Sequence, residues 1–497
     1  MRVRSPQISP DLPWLNVATP LSLSDLKGRG VLLKFWTQGC INCQHMMPVL
    51  QQIEQRYDDQ LVIIGIHSAK FDAEQSPDSV QQAIAQFGIT HPVVVDVGLQ
   101  LWQAYAVRAW PTLVFIDQQG YIVRQLSGER SLAQLQQVLD PLVDGVNGVM
   151  TARISGASLP PAPSCPAPDP PLKFPGKILA QANQLFIADT GHHRIVVTDL
   201  SGTLQHYVGT GAAGLRDGDF QTAQFQQPQG MTWDTAQQVL YIADAGNHAI
   251  RQIDFAQQRV QTLAGNGEQS RAIFPHGGLG KGLPLNSPWD LALVEQQLYI
   301  AMAGAHQIWV MDLKRQRLET YLGTGAEGCV DGDRTVVAFA QPSGLATDGQ
   351  CLYVADSETS SIRRVRLGTH PRVETLCGSG ALFDYGDQDG TGAVVRLQHP
   401  LDVALDDVAL DDVAQGEGLL IADTYNHKVK RLCLRSHHCQ TLVSGLNRPS
   451  GVTGSARGVF IVDASLPGLQ LAPATHWRPV PVKPHPSDDD GLISGTP

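Results

Sequence analysis

The sequence predicts an α/β domain followed by an all-β propeller, and three observations carry this prediction. Strand and helix signals alternate over residues 21–145. Seven of the twelve residues from Pro160 to Pro171 are proline. After that segment, an apolar motif of five residues occurs six times. We therefore expect an α/β domain at 1–150, a proline-rich linker at 151–174, a six-bladed β-propeller at 175–482, and a disordered tail at 483–497.

The elements of the first domain are predicted from the spacing of apolar residues. Continuous apolar runs indicate buried strands, and apolar residues three or four apart indicate helices. In chain order we expect a strand at 31–36, a helix at 46–57, a strand at 61–66, a helix at 79–87, strands at 91–97, 112–116 and 121–123, and a helix at 131–142.

The proline-rich segment separates the two folded parts. Proline lacks a backbone N–H, so such a run can form neither a helix nor a central strand. A polyproline-like conformation advances about 3.1 Å per residue, which predicts a semi-rigid spacer.

The repeated motif predicts the propeller. Successive copies are separated by 55, 58, 54, 67 and 40 residues, and turn residues lie between them. Units of this size with about four short strands are typical of propeller blades. Pro-x-Gly turns are expected to open the units at 228, 342 and 449. A duplicated stretch at 403–414 is expected to be a loop in part. The outermost strand of the last blade is expected at 477–482 or at the N-terminus. The motif copies lie at 185–189, 240–244, 298–302, 352–356, 419–423 and 459–463.

Composition excludes several classes of protein. The net charge of −11 argues against nucleic acid and anionic membranes as partners. Neither a secretory signal nor a run of about 18 apolar residues is found, so we expect no membrane span. Eight cysteines are too few for a disulfide scaffold in a chain of 497 residues. We expect a cytoplasmic monomer.

Cys40 and Cys43 form a C-x-x-C pair between the first strand and the first helix. A thiol at a helix N-terminus faces unpaired N–H groups, which stabilise its thiolate. Cys40 is then the exposed nucleophile, and Cys43 resolves the mixed disulfide. Two alternatives stay open, inert buried cysteines and half of a zinc site.

These residues resemble the thioredoxin-like fold, in particular its membrane-anchored and cytochrome-maturation branch. Pro48 matches the proline of the family's first helix, and Trp110-Pro111 matches its cis-proline loop, which implies that Trp110 and Pro111 contact the substrate. Lys34 replaces the buried carboxylate of thioredoxins, Gly39 replaces their tryptophan, and Met46 supplies no carboxylate. The Thr37–Cys40 stretch also matches the Thr-x-x-Cys of peroxiredoxins, although their proline is Leu33 here.

The propeller units resemble NHL repeats. Asp and His recur after the motif, as in Asp189–His193 and Asp244–His248. A ring of Asp and His could hold metal, but turn capping explains these residues better. Cys433 and Cys439 could lie across a hairpin and form a disulfide or a metal site.

The order of the two domains resembles the family of NHL repeat-containing protein two and its bacterial relatives. The resemblance implies a thiol–disulfide oxidoreductase that acts on protein substrates or exchanges with a thiol reductant through Cys40 and Cys43. It requires no cofactor or metal, and the propeller would bind the partner or substrate. Two alternatives remain: a non-catalytic interaction scaffold with a degenerate redox site, and a propeller enzyme, for which no catalytic set of residues is visible.

Overall fold

The structure is a computed structural model that describes residues 2–144, 170–272, 277–406, 418–455, 457–465, 469–472 and 478–483. The chain divides into two compact units, Met1–Asp169 and Pro170–Pro497. Most of the predicted linker and nearly all of the predicted tail lie outside the described residues, so those two expectations stay predictions.

The first unit is built on a seven-stranded mixed sheet. Its strand order is β1-β7-β6-β3-β4-β5-β2, and β3, β4 and β5 are parallel. The central strand β3 is buried along its whole length. The strands are β1 Val3–Arg4, β2 Trp14–Leu15, β3 Gly30–Trp36, β4 Leu61–His67, β5 Val93–Val95, β6 Thr112–Ile116 and β7 Tyr121–Ser127.

Four α-helices accompany this sheet. The predicted strands and helices are all present, but the first helix begins at residue 41 rather than 46. The prediction missed β1, β2 and α3, because segments of two to five residues carry too little periodicity. The helices are α1 Ile41–Tyr57, α2 Pro77–Phe87, α3 Gln100–Ala104 and α4 Leu132–Val143.

The second unit consists of antiparallel sheets, each with a motif copy as its second strand from the inside. The sheets are numbered one to six along the chain, and strands are given from the inner edge outward. Sheet one has Ile178–Gln181, Gln184–Asp189, Arg194–Asp199 and Leu204–Val208; sheet two has Pro228–Asp234, Val239–Asp244, Ala249–Asp254, Arg259–Ala264 and Gly218–Asp219; sheet three has Pro288–Val294, Gln297–Met302, Gln307–Asp312, Arg317–Leu322 and Gly278–Leu279.

The remaining sheets repeat this arrangement. Sheet four has Pro342–Thr347, Cys351–Asp356, Ser361–Arg366, Arg372–Cys377 and Gly332–Asp333; sheet five has Asp402–Leu405, Gly418–Asp423, Lys428–Cys433, His438–Val443 and Gly390–Thr391; sheet six has Pro449–Ser455, Gly458–Asp463, Leu469–Ala472 and Arg478–Val480.

The inner strands of neighbouring sheets contact one another, and the inner strand of sheet six contacts that of sheet one. The second unit is therefore a β-propeller. Five blades, sheets one to five, are described with the side chains of all their strands, whereas in the two outer strands of sheet six only the side chain of Val480 is described. A sixth complete blade therefore stays a prediction.

Three finer expectations can be compared with the strand bounds. The Pro-x-Gly segments are not turns: Pro228, Pro342 and Pro449 each begin an inner strand, a position where a missing N–H is tolerated. The outermost strand of sheet six is Arg478–Val480, within the predicted range, while the N-terminal strand belongs to the first unit. Of the duplicated stretch, residues 403–405 are in a strand and 407–414 lie outside the described residues.

A buried cation supports the motif Asp in several blades. In sheet two, Arg251 is fully buried and donates to Asp244 at 2.9 Å and to Asp217 at 3.0 Å. Arg363 makes the same contacts with Asp356 and Asp331 in sheet four. These ion pairs connect the second and third strands of a blade to the segment that leads into it.

In sheet three, apolar side chains occupy the positions of this buried ion pair. Met302 occupies the register position of the motif Asp, and Trp309 occupies that of the arginine. Both are buried in the apolar core between sheets. The replacement of the motif Asp by Met302 is thus accompanied by a second replacement, of the arginine by Trp309, on the third strand from the inner edge.

Candidate active site

The C-x-x-C pair lies where β3 ends and α1 begins. Cys40 is the N-cap of α1, and its Sγ accepts a hydrogen bond from the backbone N–H of Cys43 at 3.3 Å. Cys40 is partly exposed, whereas Cys43 is fully buried, and neither is in a disulfide. The predicted difference in exposure is confirmed, and the donated N–H favours negative charge on the Cys40 sulfur.

The loop before β6 completes the rim of this site. The Trp110–Pro111 peptide bond is cis, as the family resemblance implied. Trp110 and Cys40 both pack against the apolar cluster that contains Cys43. The four predicted site residues therefore belong to one region of the first unit, although their roles in binding and catalysis stay predictions.

Polar contacts hold Trp110 in place. Its indole Nε1 donates to the carbonyl oxygen of Ser68 at 2.9 Å, and its ring lies 4.3 Å from that of Trp102. Asp96 supports both partners, because it accepts from the Ser68 hydroxyl at 2.7 Å and from the Trp102 N–H at 2.9 Å. Asp96 is therefore a site residue that sequence reasoning missed.

Glu74 is a second residue that sequence reasoning missed. This buried carboxylate accepts from the Gly39 N–H at 2.8 Å and from the Thr37 hydroxyl, so it anchors the loop before Cys40. It also accepts from the Lys70 and Phe71 N–H groups, at 3.2 and 3.3 Å. Its capping position in the one-turn helix Asp72–Glu74 was the available signal.

Lys34 lies on the central strand β3, which leads into the C-x-x-C pair. The side chain is fully buried, and Nζ donates to the carbonyl oxygen of Cys43 at 3.2 Å. Burial lowers the pKa of Lys34 to about 8, against an opposing effect of the Cys43 and Cys40 sulfurs. Met46, the other noted departure, is buried in the core against α4 and takes no part in the site.

His67, at the end of β4, lies beside Trp36 with the two ring centres 4.7 Å apart. It is fully buried, and within the described part of the chain neither ring nitrogen has a hydrogen-bond partner. Burial lowers the pKa of His67 to about 3. The folded first unit therefore holds this imidazole neutral.

We expect His67 to make the first unit acid-sensitive. Its folded pKa is depressed, so its contribution is complete above the unfolded value of 6.5 and is lost as the pH falls from there toward 3. The 1.5 pH units down to pH 5, at 1.36 kcal/mol each, amount to about 2 kcal/mol. Urea unfolding at pH 7 and pH 5 measures this loss, and His67→Leu should remove most of the difference. An equal pH dependence in the variant would contradict the prediction.

The Asp and His residues that recur after the motif contribute to packing between blades. The turns after the first five motif copies each end at a residue with positive φ. Nδ1 of His193, His248 and His306 accepts, at 3.0–3.1 Å, the N–H of the residue just before the inner strand of the next sheet. Among the described residues, no group of three or more His, Cys, Asp or Glu is arranged to hold a metal ion.

Cys433 and Cys439 lie on the two strands of one hairpin, as the sequence allowed, but they form no disulfide. Cys439 pairs with Leu432 across the hairpin, so the next residue, Cys433, points to the opposite face of the sheet. Cys439 is instead buried in the core that also contains Cys377 of sheet four.

In the part of the chain that is described, no helix is both long and apolar enough to cross a bilayer.

Comparison with known proteins defines the class of the first unit. A thioredoxin-like family model matches residues 28–122. The chain is 33% identical over 119 residues to the thiol-disulfide oxidoreductase ResA of Bacillus anthracis, covering 24% of this chain and 66% of that protein.

Longer relatives extend the comparison over both units. The chain is 39% identical over 442 residues to Protein SUPPRESSOR OF QUENCHING 1, chloroplastic, of Arabidopsis thaliana, covering 86% of this chain and 41% of the relative. It is 37% identical over 495 residues to NHL repeat-containing protein 2 of Gallus gallus, covering 91% and 65%. The resemblance to these proteins is confirmed, although the chain spans less than two thirds of the length of either.

Proposed function

We propose that this protein is a thiol–disulfide oxidoreductase of protein substrates, with Cys40 as nucleophile and Cys43 as resolving thiol. The arrangement of the two cysteines supports this most directly. A partly exposed sulfur at a helix N-cap can attack a disulfide, and a buried thiol one turn further can displace the product. The name of the Bacillus relative supports the same reaction class.

The cis Trp110–Pro111 loop is the proposed contact for the substrate. Trp110 is fixed by Ser68 and Trp102, so it offers a preorganised apolar surface beside Cys40. The propeller, as six blades of NHL type, would bind a protein partner or select the substrate. We further propose a monomer in the cytoplasm that serves redox homeostasis, with neither nucleic acid nor membrane as a partner, in keeping with the net charge of −11.

Reduction of insulin by the full chain, with dithiothreitol as the electron source, tests the reaction. The native chain should accelerate precipitation of the insulin B chain, and Cys40→Ser should lower the rate to that of dithiothreitol alone. Cys433→Ser is the matched control, a partly buried cysteine of the propeller that should leave the rate unchanged. If Cys40→Ser equals the native chain, the non-catalytic scaffold is the better description.

A further inference from the structure

The side chain of Lys34 is a buried cation without a carboxylate partner. Nζ donates to the Cys43 carbonyl oxygen at 3.2 Å and to Met47 Sδ at 2.8 Å, and both acceptors are on α1. Neither acceptor carries a charge. In the described part of the chain, no carboxylate forms an ion pair with this ammonium group. Burying an uncompensated charge costs several kcal/mol, so its position requires an explanation.

The titratable groups that act on Lys34 all come from α1 and its N-cap residue. They are the sulfurs of Cys43 and Cys40 and, to a smaller degree, Glu54. Glu54 is itself paired with His91 at 2.9 Å. The residues beside Lys34 on β4 and β6, Gly65 and Leu113, are uncharged. A thiolate of the C-x-x-C pair is therefore the anion available to compensate the ammonium group.

We propose that Lys34 is the buried countercharge of the Cys40–Cys43 thiolate, in the place where thioredoxins carry a carboxylate. It acts as a positioning residue, because it contacts the backbone of Cys43 rather than the reacting sulfur. This inference rests on the proposed function. It specifies how the same site controls the deprotonation of its cysteines and the equilibrium between dithiol and disulfide.

The reaction defines when the countercharge is needed. Cys40 thiolate attacks a substrate disulfide, one substrate sulfur bonds to Cys40, and the other leaves as a thiolate that takes a proton from water. Cys43 then gives up its proton to solvent and attacks Cys40 Sγ, which breaks the mixed disulfide and releases the second substrate thiolate. Two electrons pass to the substrate, and the C-x-x-C pair is oxidised. Lys34 stabilises the anion formed on Cys43 before this second attack.

The same charge should shift the equilibrium between dithiol and disulfide. Reduction creates a thiolate that pairs with the ammonium group, whereas oxidation leaves the buried charge uncompensated. Lys34 should therefore favour the reduced pair and make the disulfide a stronger oxidant, as stabilising the reduced form does in other oxidoreductases. A buried carboxylate at this position would have the opposite effect.

Two readouts on the full chain test the proposal without using enzymatic activity. The first is the pH dependence of Cys40 alkylation by iodoacetamide, followed by mass spectrometry. The second is the fraction of Cys40–Cys43 disulfide in glutathione buffers. In Lys34→Met the alkylation midpoint should move up by about one pH unit, and the glutathione equilibrium should move about tenfold toward the disulfide, which is about 30 mV.

Three further variants separate charge from structure. Lys34→Gln keeps a donor without the charge and should behave like Lys34→Met, and it replaces that variant if methionine prevents folding. Lys34→Arg keeps the charge and should stay near the native values. Lys27→Met removes an exposed lysine of the same unit and should change neither readout.

Two negative results are distinguishable. If no Cys40–Cys43 disulfide forms in any glutathione buffer, the proposed function itself fails. If the disulfide forms but folded Lys34→Met and Lys34→Gln match the native chain in both readouts, the countercharge role is overturned while the proposed function stands.

Discussion

Replacing Asp244 by methionine should destabilise the propeller by about 3–5 kcal/mol, because it leaves the buried guanidinium of Arg251 without its main partner. The carboxylate also accepts from the Gln226 N–H at 2.7 Å and from the Asn247 side chain at 2.8 Å, and these donors lose their acceptor too. Asp217 still faces Arg251, but it is partly exposed to solvent and compensates only part of the charge.

The pair should nevertheless be replaceable as a unit. Burial raises the pKa of Asp244 to about 6 in spite of Arg251, so the cost of desolvation exceeds the attraction. Sheet three carries Met302 and Trp309 at the equivalent positions. The double variant Asp244→Met/Arg251→Trp should therefore recover at least half of the stability that the single variant loses, since well-packed apolar residues often replace a buried ion pair without loss.

Urea unfolding of the native chain and of both variants measures these differences. Asp312→Asn is the control: Asp312 forms an ion pair with the exposed Arg315, and solvent screening should make the loss of this pair barely measurable. A single variant as stable as the native chain would contradict the role of the buried pair. A double variant less stable than the single one would show that sheet three depends on further local repacking.

Such substitutions indicate what the sequence could and could not predict. The second strand of each blade is buried and apolar, so the six copies were visible as a repeated motif. The departure at Met302 was also visible, but its compensation by Trp309 depends on the register between two strands. Pairing across strands is a property of the folded sheet, which a single sequence does not contain.

In the candidate active site, too, some residues could be predicted from the sequence and others could not. The nucleophile could be predicted because a local feature, a cysteine before a helix, determines the chemistry of Cys40. The supporting carboxylates could not. Glu74 and Asp96 reach the site only because the ends of β4 and β5 meet beside the C-x-x-C loop. The capping position of Glu74 marks it as a structural residue, but it does not indicate that contact.

Replacing Glu74 by alanine should destabilise the first unit by about 3–5 kcal/mol, because several donors to one buried carboxylate would lose their acceptor. The loop Thr37–Gly39 should then open locally, since Glu74 accepts from both of its ends. Glu74→Gln keeps the shape but directs N–H groups at other N–H groups, so it should also destabilise the unit, by a smaller amount.

Hydrogen exchange of the Gly39 amide reports on the loop directly, and thermal unfolding reports on the unit. The Gly39 amide should exchange at least about tenfold faster in Glu74→Ala, because a lost hydrogen bond of more than 1.4 kcal/mol gives that factor in a local opening equilibrium. Asp72→Ala is the matched control: it removes an exposed carboxylate from the same turn and should change the stability by less than about 1 kcal/mol. If the Gly39 amide exchanges equally in Glu74→Ala and the native chain, Glu74 does not hold the loop. The position of Cys40 must then depend on its own helix cap and on packing against the apolar cluster that contains Cys43.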